Sequence, residues 1–478
     1  MSDKRNAYIE NDKKLIAALK ELPADYWDFK DSDTHEYTHG IHSYPAMMVC
    51  PISRNLIRIM KDIMPIKSLL DPYAGSGTVL VEGMLANIDY VTGNDINPLA
   101  LLLAKVKTTP IEATVLRPSR SDLMERINQR YNEYQALIDG VDDAMRGLGL
   151  DLTAKEGWGD NAPSYLIDYC KNNNIDLNVP DFKNLGYWFK PKVILLLELI
   201  KEEILKIYDE DIRDFAFVAF SEIIRLVSNR RNGEFKLFRM RPDKVEAFEP
   251  DVIKEFEKIL DRNTEKMVDF MEARKGSKSK VKICKSDAAE LPDVEDNFYD
   301  IIITSPPYGD SRTTVAYGQY SRLSLQWIGL FDVSNEEIMS IDKSLMGGAR
   351  FTKGFDNQLK SETLKKSLEI IRKQHAERAG DVYSFYKDLD KCIEAIAKKT
   401  RSGGYHFWVV GNRTVKNENL ATDVIISELA DQYGMDYVYT IDRNIVNKVM
   451  PSLNSPTNES GKKVTTMTNE HIVVLRKR

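Results

Sequence analysis

A strand that stops at a carboxylate and turns through glycines into a helix belongs to a doubly wound parallel sheet, where the bare backbone of the turn lets a ligand approach closely. The chain carries such a junction at Ser68-Leu69-Leu70-Asp71, followed by Pro72-Tyr73-Ala74-Gly75-Ser76-Gly77-Thr78. A helix-compatible segment over 78–87 comes next. A second strand pattern, Tyr90-Val91-Thr92-Gly93-Asn94-Asp95, again ends in an acid and leads into a helix over 98–105 that begins at Pro98. This is the βαβα alternation of a Rossmann-like α/β sheet.

From about 109 to 280 the pattern changes. Apolar residues recur at i, i+3 and i+4 across 116–145, 192–208, 211–227 and 245–271, with no glycine turn and no acid-terminated strand. This predicts a large helical insertion within the sheet. Strand signals resume at 281–284 and 299–303 and continue at 405–410, 436–441 and 471–475. Together they predict about seven strands, near the upper end of common open sheets.

Composition narrows the class. Of 478 residues, 42% are apolar and 29% charged, the proportions of a folded globular chain. No run approaches the ~20 uncharged apolar residues that span a bilayer, and the start of the chain lacks the apolar core of a signal peptide. Cys50, Cys170, Cys284 and Cys392 lie far apart; neither a disulfide framework nor a cysteine-rich zinc site is expected, and a cytoplasmic location fits. His39 and His42, three apart but with no thiolate pair nearby, make no metal site. With 67 Lys+Arg against 73 Asp+Glu, the net charge is −6, so any hold on a polyanion has to come from a local basic patch.

Two stretches carry chemistry. Asp71 taken alone would serve as a helix cap. Asp95, twenty residues beyond Gly75, is placed to bind a ribose diol, and Asp287, after the next strand, to accept a bond from an adenine amino group. Three acids at successive strand ends beside Gly75 and Gly77 point to a nucleoside-bearing cofactor. Position 80 is Leu80, so the dinucleotide fingerprint, which needs a third glycine there, is incomplete. The second stretch is Ser305-Pro306-Pro307-Tyr308, directly after Asp300-Ile301-Ile302-Ile303-Thr304. Two prolines force a fixed turn after a buried strand. It offers the Ser305 hydroxyl, the Pro306 carbonyl and the Tyr308 ring, a set suited to a flat base with an exocyclic amine.

These residues resemble the S-adenosylmethionine-dependent amino-group DNA methyltransferases. Asp71 to Thr78 is similar to their cofactor loop, with Tyr73 in place of the common Phe. Ser305 to Tyr308 resembles their catalytic tetrad in the form most often seen in cytosine-N4 enzymes. Further likeness lies in 39–46, in 232–237, and in the tail from 443–448 to 467–470. The resemblance implies S-adenosylmethionine as cofactor, held by Asp71, Tyr73, Gly75, Gly77, Thr78, Asp95 and Asp287, with Tyr44 and Pro45 near its methionine end. It also implies catalysis by Ser305, Pro306, Pro307 and Tyr308 on a cytosine flipped out of double-stranded DNA, and a cognate restriction endonuclease as companion. Adenine-N6 methylation, guanine methylation in RNA and a non-catalytic DNA-binding subunit are the alternatives.

On this reading, 1–38 is an N-terminal arm, 39–108 the cofactor half of the methyltransferase domain, and 109–280 the helical insertion, a candidate DNA-contacting domain. Residues 281–308 supply the catalytic strand and tetrad, 309–399 a loop and helical segment for target recognition, and 400–478 the last strands. Arg225, Arg230, Arg231, Lys236, Arg239 and Arg241, opposed within their span only by Glu234, form a candidate phosphate track, with Arg443 and Lys448 from the tail. The run from Arg274 to Lys285 reads as a solvated face, and Trp327, Tyr317 and Tyr320 read as core.

Overall fold

The computed structural model describes residues 2–159, 161–231, 233, 235–310, 315–329, 333–348, 357–445, 453–454, 464–465 and 469–478. One seven-stranded sheet organises the chain. Its strands are β1 (Ser68–Asp71), β2 (Tyr90–Asp95), β3 (Lys280–Lys285), β4 (Tyr299–Thr304), β5 (Thr400–Val410), β6 (Met435–Asn444) and β7 (Asn469–Lys477). They lie in the order β3-β2-β1-β4-β5-β7-β6. β3, β2, β1, β4 and β5 pair in parallel, whereas β7 runs antiparallel to both β5 and β6.

The order reverses between β1 and β4, which opens a crevice at their carboxyl ends. Both strands are buried throughout, and their side chains alternate between two cores. Leu69, Ile301 and Ile303 face a core completed by the helices Ser2–Lys20, Cys50–Ile63 and Thr78–Leu85; Leu70 and Ile302 face one completed by Ala376–Lys399 and Thr422–Asp431. The period-two alternation covered on both sides is why these runs read as continuously apolar. The N-terminal segment is docked in the first core through Leu15, Leu19 and Trp27.

The helical insertion lies between β2 and β3, and its long helices are Ala113–Gly147, Pro191–Leu205, Glu210–Leu226 and Val252–Ala273. The run expected over 245–271 is broken: Pro250 stops a short helix, Pro242–Glu246, and the Asp251 carboxylate caps the next one by accepting from Lys254 N at 3.1 Å. The insertion is joined to the sheet domain by the helix Pro98–Thr108, which shares the insertion's core through Leu99, Leu103 and Val106. Lys105 ties the two externally, bonding Glu210 and Asp214 at 2.7 Å each. The described parts of 309–373 include the helices Tyr317–Ile328 and Asn335–Ser344 and most of Glu362–Gln374.

Candidate active site

The crevice at the β1–β4 switch holds a cavity of about 320 Å³. Its floor is the loop after β1. Asp71 ends that strand with its carboxylate accepting from Tyr73 N at 3.1 Å and from the Thr304 hydroxyl at 2.8 Å, so the two candidate loops are joined at their roots. Burial pushes the Asp71 carboxyl up to about 7. Gly75 and Gly77 adopt left-handed φ values of 50° and 86°, and a Cβ on Gly77 would meet Ala104 Cα at 3.0 Å. Glycine is therefore required there by both conformation and space.

Asp95, at the end of β2, acts as the loop's clip. One carboxylate oxygen accepts from Gly75 N at 2.8 Å and the other from Asn97 N at 2.9 Å. Its pKa is raised by burial, partly offset by these backbone donors. Asn94 fastens the next strand end: its amide donates to the Ser286 carbonyl at 3.0 Å, and the Ser286 hydroxyl returns a bond of 2.7 Å. Asp287 follows, exposed at the cavity edge, with Ala289 N bonded to its carboxylate at 2.9 Å.

The structure thus brings Asp71, Tyr73, Gly75, Thr78, Asp95 and Asp287 to one cavity. Tyr44 and Pro45 line it too, as do Ser305 and Pro307 from the turn after β4. Gly77, Pro306 and Tyr308 are not among the lining residues. Tyr308 turns inward: Ser305 Oγ donates to its hydroxyl at 3.2 Å, and that hydroxyl donates to Glu470 of β7 at 3.1 Å. Burial raises the Tyr308 pKa well above its ordinary value. Beyond the turn, buried Asp310 is gripped by Arg378 at 2.8 Å and Arg413 at 3.2 Å, which fixes the exit of the segment.

Several contributors were not legible as site residues. Asn97 donates to Tyr44 Oη at 3.0 Å and to Ser321 Oγ at 2.8 Å while its own oxygen caps the helix at Leu99 N. It binds the Tyr44 segment to the helix Tyr317–Ile328. Tyr317, read as core, stacks on Tyr44 with centroids 6.1 Å apart and lines the cavity; Tyr320 and Trp327 are indeed buried. Lys107 lies fully buried under the loop, donating to Ser76 Oγ at 3.0 Å, and burial lowers its pKa to about 7. The Asn97-Pro98 pair, a capping residue before a helix-starting proline, was the one available signal.

The proposed phosphate track needs correction. Arg225 and Arg230 are buried, not presented to solvent. Arg225 Nη1 donates to the Tyr320 carbonyl at 2.9 Å with its guanidinium 3.9 Å from that ring's centroid, and Arg230 Nε donates to the Arg225 carbonyl at 2.8 Å. Arg239, half-buried, donates to Tyr187 O and Ala154 O at 2.8 and 2.7 Å. Arg443 is buried against Glu470 and donates to Trp27 O at 2.9 Å. Guanidinium groups spent on internal carbonyls and carboxylates do not reach a phosphate. Arg231 and Arg241 are exposed and Lys236 half-buried; Lys448 and Glu234 lie outside the described residues.

His39 does not pair with His42. Its Nε2 lies 2.8 Å from Glu82, whose oxygens also accept from Arg54 at 2.7 and 2.9 Å. Cys50 approaches the same point, the three ligand-type atoms lying within 4.8 Å of one another. The adjoining guanidinium already neutralises the carboxylate and opposes a cation there. All four cysteines are free and buried, and no helix among the described residues is long and apolar enough to cross a membrane.

No protein-family model matches the chain. The type II methyltransferase M.MvaI of Kocuria varians is 39% identical over 479 residues, spanning 98% of each chain. The type II methyltransferase M.MjaII of Methanocaldococcus jannaschii is 24% identical over 230 residues, 42% of this chain and 43% of its own. Among solved structures, the rRNA methyltransferase aviRa from Streptomyces viridochromogenes overlaps 91% of this chain and 88% of its own at 10% identity. Its TM-score of 0.28 is too low to bear on the site.

Proposed function

The chain belongs to the type II methyltransferase family, and on that premise we propose that it transfers a methyl group from S-adenosylmethionine to the exocyclic N4 of cytosine at a specific site in double-stranded DNA. One observation carries the reading: the glycine loop with its three acids and the Ser305–Pro307 turn line a single cavity at the switch point of the sheet. The residues present suit the cofactor. Gly75 leaves backbone bare for close approach, Asp95 offers its carboxylate to the ribose diol, and Asp287 offers an acceptor at the rim for the adenine amine. The bound cofactor supplies a methyl group already activated on a sulfonium.

The chain's own task is alignment. A cytosine amine is a poor nucleophile because its lone pair is delocalised into the ring. Ser305 Oγ and the Pro306 carbonyl accept the two amine hydrogens, which draws the nitrogen toward tetrahedral geometry and aims its lone pair. Well-oriented reactants lower a barrier by about 7–11 kcal/mol. Tyr308 stacks on the base, held by the Glu470–Arg443 pair behind its hydroxyl. Stacking of about 1–3 kcal/mol offsets part of the cost of unstacking the base from the duplex. Serine at the head of the tetrad favours cytosine N4 over adenine N6. The helical insertion takes the DNA backbone through Arg231, Lys236 and Arg241. The reading extends to a restriction endonuclease of the same recognition site as partner.

Incubation with unmethylated phage DNA and methyl-labelled cofactor tests the proposal. Label should enter the DNA with wild-type protein and fall to background with Ser305→Ala, while cofactor affinity stays within a few-fold. DNA left unlabelled, or labelled equally by both proteins, would overturn it.

A further inference from the structure

Residues 229–231 and 235–240 of the insertion form a paired element, a finger, on the helix Tyr317–Ile328. Its base is an antiparallel pairing of Arg230 with Arg239, extended by Arg231 N to Phe238 O at 2.7 Å and Met240 N to Asn229 O at 2.8 Å. The buried Arg225 donates to the carbonyls of both Phe235 and Tyr320, and Leu237 N donates to Gln319 at 3.3 Å. The finger is thereby pinned to the helix Tyr317–Ile328, the same helix whose Tyr317 lines the cavity. An aromatic path joins the two: Phe235 to Tyr320 at 6.3 Å between centroids, Tyr320 to Tyr44 at 5.6 Å.

On this pinned element, Phe235 is 50% exposed. A single exposed apolar residue needs no explanation. Here, however, the paired base of the same element, through Arg231 and Met240, lines a cleft together with Arg241, Lys244 and Phe248. Asp243 lies 3.5 Å from Arg241, and Lys244 is an exposed cation of the same lining. An exposed apolar ring and a cleft bearing cations on one pinned support have the composition of an element that holds a phosphate backbone and inserts between bases.

We propose that Phe235 is a wedge that enters the DNA stack beside the target base and fills the space the flipped base leaves, while Arg241 and Lys244 hold the flanking phosphates. This rests on DNA being the substrate. The ring is a positioning group: it takes no part in methyl transfer and lowers the cost of extruding the base. That cost is a few kcal/mol in an intact duplex and is smaller when the base has no pairing partner. The effect of losing the ring therefore depends on the substrate.

The test compares Phe235→Ala with wild type on two duplexes carrying the methylated site mapped from labelled phage DNA. One is fully paired; the other has an abasic residue opposite the target base. Cofactor affinity within a few-fold of wild type verifies that the variant is folded, and Phe235→Leu replaces it if that condition fails. We expect kcat/KM on the paired duplex to fall about ten- to a hundredfold, and the two proteins to differ by less than about threefold on the abasic duplex. No loss on the paired duplex, or the same loss on both, would overturn the wedge. Wild-type protein that methylates neither duplex would overturn the DNA reading, and this inference with it.

Discussion

Asp95→Ala is the substitution for which the structure yields a magnitude. The Asp95 carboxylate has two duties. It faces the cavity where a ribose diol is placed by the proposed function, and it clips the glycine loop through Gly75 N at 2.8 Å and the next helix through Asn97 N at 2.9 Å. A charge-assisted hydrogen bond contributes about 1.5–3 kcal/mol. Loss of the ribose contact alone should therefore raise the cofactor dissociation constant about ten- to a hundredfold. Loss of the clip adds to this, because the two orphaned amides cost about 1–3 kcal/mol each where water does not reach them. Titration calorimetry with S-adenosylmethionine measures the first effect and thermal denaturation of the cofactor-free protein the second. Asp95→Asn, which keeps an acceptor but loses the charge, should fall between wild type and Ala in both. Affinity for duplex DNA should change little. Unchanged cofactor affinity in Asp95→Ala would refute the ribose assignment; a lowered melting temperature with unchanged affinity would leave Asp95 only its structural duty.

Three further outcomes follow from the same geometry. Burial raises the Asp71 carboxyl from 3.8 to about 7, and a cationic cofactor beside it favours the carboxylate. Cofactor affinity should then rise from pH 6 to 8 with proton release, seen as a calorimetric heat that varies with buffer ionisation enthalpy; in the cofactor-free protein the same group binds a proton that the unfolded chain lacks between pH 3.8 and 7, so its contribution to stability falls as pH rises through that window. Tyr308→Ala should lose most turnover and keep cofactor affinity, whereas Tyr308→Phe, which gives up only the hydroxyl bond to Glu470, should lose about tenfold or less in kcat/KM; equal damage from both would mean that the hydroxyl takes part in the chemistry. Neutralising Arg241 and Lys244, both exposed, should flatten the slope of log DNA affinity against log salt by about one to two units, while Arg225→Ala should instead lower the melting temperature, since its guanidinium is spent on the Tyr320 and Phe235 carbonyls.

β1, β2 and β4 were legible because each is a short run that ends in an acid or leads into prolines, and because both faces of β1 and β4 are covered, so that Leu69–Leu70 and Ile301–Ile303 are uninterrupted by a polar residue. The place of β7, antiparallel between β5 and β6, was not: nothing local to 469–477 distinguishes that pairing from an edge position. The three acids and two glycines of the cofactor loop are adjacent in sequence to the strands that present them, and the cavity follows from strand order. Partners far along the chain stayed hidden. Tyr308 meets Glu470 162 positions on, and Arg225 meets the Tyr320 carbonyl 95 positions on. A cluster of arginines reads identically whether its side chains face water or backbone carbonyls, which is why four of the cations assigned to DNA lie in or against the protein. Lys107, carried on an apolar helix face, gave no sign that it would be buried beneath Ser76.

The central claim concerns which atom receives the methyl group, and nucleoside mass spectrometry of unmethylated DNA treated with protein and S-adenosylmethionine reads that atom directly. The account predicts N4-methylcytosine, absent when Ser305→Ala replaces wild type. N6-methyladenine would keep the amine mechanism and correct the base; cytosine methylated on carbon, or no methylated nucleoside at all, would contradict it.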